Sequence, residues 1–274
     1  MAYWLINKAA KNAHDMDWNQ FESLLDDLDF ALIIRRNKRN EDVASILAEV
    51  LSTLNRVFFE WVCSIDIPTD TKIKSGFAKL IDIENDLAIS FNYTDTLEKL
   101  YGSKKQNIRY FHGRRETDIN KRVERADDSW GEENTPLILG HDGKRSNELF
   151  DMMQNGELPE VRVPSSKIEQ LKHLYVRMLK DSKWIVYENK DFIQQISRSD
   201  IQKVFSYGFS YSQVDEPQIH AICDALNNGI NRTECMTWYF TDFDKDKNKI
   251  PSFMEYVKKC GFLGKFDVFF PDEN

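Results

Sequence analysis

The sequence predicts an α/β domain whose mostly parallel sheet is flanked by helices and preceded by a helical N-terminal portion. Three observations predict it: helical spacing of apolar residues in the first third, a strand–helix–strand unit at 86–111, and the return of that rhythm after residue 200. Short apolar runs alternating with amphipathic helices imply parallel strands joined by crossover connections. The expected organisation is a single α/β domain over 1–274, with 1–80 helical and 81–274 forming the sheet portion.

The elements follow in order. Trp18, Phe21, Leu24, Leu25 and Leu28 fall on one helical stripe. Val43, Ile46, Leu47, Val50, Leu51, Leu54, Val57, Phe58, Trp61 and Val62 form a longer one, a face that packs within its own domain or on a second copy. Asp86 to Phe91 has strand length. A helix follows, with Thr94 or Asp95 as N-cap, Leu97, Leu100 and Tyr101 at helical spacing, and Gly102 as the stop. Ile108 to Phe111 is the next strand, ending in His112-Gly113. Residues 114–135 are charged and aperiodic, as in an exposed insertion loop. Leu137 to Leu139 reads as a short strand, with helices at about 146–154 and 167–179. The last third gives a strand at Val204–Tyr207, a small-residue turn at Gly208-Phe209-Ser210, and a helix at 213–226. A strand at Met236–Phe240, a helix at Ser252–Cys260 and a closing strand at Phe266–Phe270 complete it.

Composition narrows the function classes. In 274 residues, 41% are hydrophobic and 12% aromatic, enough for a substantial core. A net charge of -8 disfavours non-specific nucleic-acid binding, which depends on neutralising phosphates. The densest basic cluster, Lys104, Lys105, Arg109, Arg114 and Arg115, reads either as solvated loops or as a seat for a phosphate-rich ligand. Four cysteines form no C-x-x-C pair, the N-terminus does not resemble a secretory leader, and no apolar run has bilayer length. The expectation is a cytoplasmic chain with reduced thiols and no membrane partner.

No metal is indicated. Residues 242–248 alternate oxygen-bearing side chains like a calcium loop, but Lys247 stands where glycine is needed and Phe253 where the bidentate glutamate should be. His14, His141, His173 and His220 lack ligand spacing.

In an open parallel sheet, ligands bind beyond the carboxyl ends of the strands. Three segments put polar residues there: Asn92 to Asp95, His112-Gly113, and Gly208 to Asp215. The Asn92 amide suits a ribose hydroxyl or an attacking water, or else an Asx turn. His112 suits a general base, or a structural hydrogen bond that closes a strand. Gly208 and Ser210 would let backbone and hydroxyl approach a phosphate or ribose, and Asp215 would do likewise or cap the helix after it.

At these positions the chain resembles a known family. Ser90-Phe-Asn-Tyr-Thr-Asp-Thr-Leu-Glu-Lys-Leu-Tyr101, Tyr110-Phe-His-Gly113 and Leu137-Ile-Leu-Gly-His141 resemble the F-N-Y-T…L-E…Y, I-H-G and L-I-L-G-H blocks of AbiH proteins. Tyr207 to Asp215 resembles the G-H-S-L-x-x-x-D block, with Phe209 in place of histidine, and Trp238 to Lys245 is similar to a late W-Y-x-x-D-x-D block. AbiH proteins usually begin with a strand and a G-N-G-F-D loop. With no glycine before Gly76, that loop has no match here.

The resemblance implies a bacterial antiphage protein acting by abortive infection, with a Rossmann-like, sirtuin-like fold. It implies NAD as substrate, Asn92 and His112 as catalytic residues, and Gly208, Ser210, Asp215, Thr94 and Asp95 around the nucleotide. The cysteine pairs of sirtuin deacetylases are absent, which argues against deacetylation. The alternative is a catalytically inactive or truncated relative that binds a nucleotide, a protein partner or its own copy. A nuclease would need a metal-binding carboxylate constellation, and none stands out.

Overall fold

The computed structural model describes residues 58–68, 73–115, 137–138, 155, 180–209, 211, 213–230, 233–241 and 250–270. The chain divides into two compact units. One comprises Met1–Cys63, Ala126–Asp128 and Ile138–Asp181; the other comprises Ser64–Arg125, Ser129–Leu137 and Ser182–Asn274. In the first, residues 58–63 are helical and bury Phe58, Val62 and Cys63. The stripes expected at 18–28 and over most of 43–62, the helices at 146–154 and 167–179, and loop residues 116–135 lie outside the described residues.

The second unit is mixed α/β with parallel strands. It begins with α1 (Ser75–Leu80), β1 (Ala88–Ser90), α2 (Thr96–Tyr101) and β2 (Ile108–Tyr110). β1 and β2 pair in parallel with Ala88 opposite Ile108 and Ser90 opposite Tyr110, as the strand–helix–strand reading requires. Helix α2 stops where expected. Gly102 takes φ +73, and the N–H groups of Gly102 and Ser103 return to the carbonyls of Glu98 and Leu97, satisfying the last turn.

After α3 (Ser182–Glu188) and α4 (Lys190–Arg198) come β3 (Lys203–Ser206), α5 (Glu216–Asn228), β4 (Thr237–Thr241), α6 (Ile250–Lys259) and β5 (Lys265–Phe269). The three strands form one parallel sheet in the order β3-β4-β5. Among the described residues the five strands therefore fall into two parallel sheets, where the sequence predicts a single, mostly parallel one. Leu137 and Ile138 carry no strand, and Leu139 lies outside the described residues.

The three-stranded sheet is packed by aromatic rings on both faces, as period-two alternation dictates. Trp238 and Phe240 bury one face of β4 against Phe253 of α6, at centroid distances of 5.8 and 6.1 Å, while Phe262 and Phe266 extend the cluster. On the other face Phe205 stacks on Tyr239 at 4.8 Å, and Phe77 of α1 stacks on Tyr207 at 4.6 Å. Helix α5 packs against α3, α4 and α6.

Candidate functional site

The segments that follow β1, β2 and β3 approach one another, and of the sequence-predicted residues they bring His112 and Asp215 into contact. His112 follows β2 by two residues, held in a turn in which the Gly113 N–H donates to the Tyr110 carbonyl and Gly113 takes φ +84. Its Nδ1 lies 3.0 Å from the carbonyl oxygen of Phe91, just beyond β1. Its Nε2 lies 3.1 Å from Oδ1 of Asp215, which is 103 residues away in the chain and opens α5. Both side chains are buried, His112 at 4% exposure and Asp215 at 2%.

The proton inventory of this pair follows from its partners. A carbonyl oxygen only accepts, so Nδ1 donates. One further proton must lie between Nε2 and Oδ1 for the second hydrogen bond to exist. Histidine and aspartate therefore share a proton, and neither ring nitrogen offers a lone pair in this arrangement. Asp215 stands at the N-cap position of α5 but makes no side-chain cap bond, because its carboxyl group is turned to the imidazole.

The other predicted residues sort by contact. The Asn92 side chain is exposed, and its backbone forms a small turn: its N–H donates to Ser90 Oγ (3.2 Å), and Ser90 Oγ donates to its carbonyl (3.1 Å). Gly208 is exposed with φ +60, a conformation that favours glycine. Ser210 lies outside the described residues. Thr94 Oγ1 meets Thr96 Oγ1 at 2.8 Å.

Asp95 is taken up by an ion pair. Arg115 reaches its Oδ1 with Nε at 2.7 Å and Nη2 at 2.6 Å, and both partners are buried. Burial pushes the Asp95 carboxyl up, but the Arg115 hydrogen bond and charge, with Lys99 adding to them, hold it below the ordinary carboxylate value. Asp95 is the N-cap residue of α2, yet it too makes no side-chain cap bond.

Two features escaped the sequence reading. The first is the use made of the basic cluster. Arg115 also donates to the Ile65 carbonyl, Arg114 Nε faces Glu98 at 3.2 Å, Lys104 pairs with Glu84, and Tyr110 donates its hydroxyl to Glu98. Arg114 and Arg115 are thus held by internal carboxylates rather than left for a phosphate, whereas Lys104 and Lys105 are exposed, as the solvated-loop reading has them. Burial, then the Glu98 carboxylate, raises the Tyr110 hydroxyl well above its usual range.

The second feature is the aromatic filling between the turns. Phe91 meets Phe209 at 4.6 Å and His112 at 5.2 Å, while Phe209 continues to Tyr211 at 5.2 Å and Phe253 at 5.8 Å. Tyr211 is a non-glycine residue at φ +52, a costly conformation in a buried aromatic. The three turns thus converge, with rings packed beside the imidazole.

Among the described residues no helix is long and apolar enough to cross a membrane. No curated protein and no solved structure matches the chain. The family match runs over residues 2–239, taking in the first four of the five blocks compared above and, of the last, only Trp238-Tyr239; the chain therefore belongs to the family Bacteriophage abortive infection AbiH, and its role is antiphage defence.

Proposed function

We propose that this chain is an abortive-infection effector that cleaves the nicotinamide–ribose bond of NAD at the rim formed by Asn92, His112 and Asp215. The observation that carries the reading is the shared-proton pair of His112 and Asp215 at the carboxyl ends of parallel strands, the place where such sheets take nucleotides.

The chemistry suits these groups. The C–N bond breaks with its electron pair going to the pyridinium nitrogen, so nicotinamide leaves neutral and needs no acid. The ribose becomes oxocarbenium-like, and a carboxylate close by stabilises that charge. Water adds to the sugar carbon, oriented by the Asn92 amide, and its proton passes to the Asp215 carboxylate while Nε2 keeps the shared one. Gly208 gives the facing turn room for backbone approach. Because the pair is buried, turnover requires Phe209 to move aside, and the left-handed conformation of Tyr211 puts a strained residue close by.

A second reading is favoured by the same burial: a module that binds a nucleotide at this rim without turning it over. Incubation of the purified protein with NAD, following nicotinamide release, separates the two. The expected outcome is turnover that falls about 100-fold or more in His112→Ala. No release, or equal release by the variant, would sink the catalytic reading.

A further inference from the structure

Gln218 on α5 is fully enclosed, and neither its amide nitrogen nor its amide oxygen has a hydrogen-bond partner. Among the buried side chains of the described residues it is the one with both a donor and an acceptor left unpaired. Such a group costs stability that an apolar residue of the same shape would not, so its presence calls for a use outside the fold.

Position indicates that use. Gln218 lies three residues beyond Asp215, one turn further along α5. Residues three apart share a helix face, so Gln218 stands on the side of α5 that carries Asp215, one turn from the His112 contact. Charge narrows the ligand. Asp215 and Glu216 place two carboxyl groups in this first turn, which opposes a phosphate in spite of the helix dipole. What complements the amide is a group presenting a donor and an acceptor side by side on a neutral or cationic frame. A carboxamide on a pyridinium ring does so, and its positive charge is favoured beside carboxylates.

We propose that Gln218 pairs with the carboxamide of the nicotinamide ring and makes the site select nicotinamide over nicotinic acid. The inference rests on the NAD reading above and names the end of the dinucleotide that faces α5. Adenine offers a comparable edge, so the experiment must separate the two.

Calorimetry on the full chain, with carbocyclic NAD and its nicotinic acid counterpart as non-cleavable probes, is run beside thermal unfolding without ligand. Nicotinamide and adenosine serve as competitors. Wild type is expected to prefer the carboxamide form by about 10-fold or more, and nicotinamide to compete. Gln218→Met should bind both forms within about twofold and, without ligand, unfold at the same temperature as wild type or higher. Gln218→Leu repeats the test should methionine fail to pack. The inference is overturned if the variants keep the preference, if adenosine competes instead, or if both variants unfold earlier, since the amide would then serve the fold. Nicotinamide release by wild type with an unchanged preference in the variant removes this inference alone. Absence of both binding and release in wild type removes the NAD reading with it.

Discussion

Around β1 and β2 the interior is charged: Asp95 and Arg115 are both buried and joined, and Arg114, Glu98, Lys99 and Tyr110 surround them. Around β3, β4 and β5 it is aromatic: Trp238, Phe240, Phe253 and Phe262 meet edge to face at 5.4–6.1 Å. Two-stranded and three-stranded sheets differ in how much apolar surface they can bury. The smaller one relies on bonds that must be complete to be favourable, whereas the larger relies on area and packing. The site residues sit where these two kinds of interior meet, with His112 from the charged side and Asp215 from the aromatic one.

The largest expected effects test that contrast directly. Phe240→Ala should cost about 3–5 kcal/mol in denaturant unfolding, by lost transfer and a cavity. Asp95→Ala should cost about as much for a different reason, because it leaves the Arg115 guanidinium buried without its anion. The double variant Asp95→Leu with Arg115→Met should recover most of the second loss, since an apolar pair of similar volume avoids the desolvation altogether. If the double variant is as unstable as the single one, the charged interior is held by more than this pair and the contrast fails. Gly264→Ala comes next, at about 1–3 kcal/mol, since a Cβ there would lie 2.5 Å from the backbone oxygens of Met236 and Thr233 at the entry to β5.

Much of the second unit was legible because its signals are local. The apolar runs before Asn92 and His112, the stop at Gly102 and the parallel alternation after residue 200 appear within a residue or two of their predicted places. Helices α3 and α4 were missed, although Ile185, Phe192 and Ile196 are buried at helical spacing. Their exposed Trp184 and Tyr187 and the break at Asn189 blur the stripe. Both caps were read from type and position, and both aspartates do stand at N-cap positions, yet each turns its carboxyl group to a partner from elsewhere. A charge-assisted bond to a buried guanidinium outweighs a cap bond for Asp95, and Asp215 is engaged by an imidazole. Nothing in sequence spacing marks a contact across 103 residues, and the division into two sheets depends on strand order, which local patterns do not encode.

The pH dependence sharpens the same comparison. Asp95 has its folded value depressed, so the stability it contributes is fully present above the ordinary carboxylate value of about 3.9 and is lost as pH falls through the lower, folded one. Wild type should therefore lose more stability than the Asp95→Leu/Arg115→Met variant between about pH 4 and pH 2, and the two curves should run parallel near neutrality. Parallel curves throughout would show that the carboxylate contributes nothing that acid can remove.

The smallest effect concerns the surface counterpart of the buried pair. Lys104 and Glu84 form an ion pair with both side chains well exposed. Solvent screens such a pair, and ordering two long side chains offsets most of its attraction, so Lys104→Ala should change stability by no more than about 0.5 kcal/mol, and less in high salt. Measured beside Asp95→Ala, it isolates burial as the variable, because both substitutions remove one partner of an ion pair from the same strand–helix–strand unit. Similar losses from the two would mean that charge alone, wherever it sits, holds β1 and β2 together.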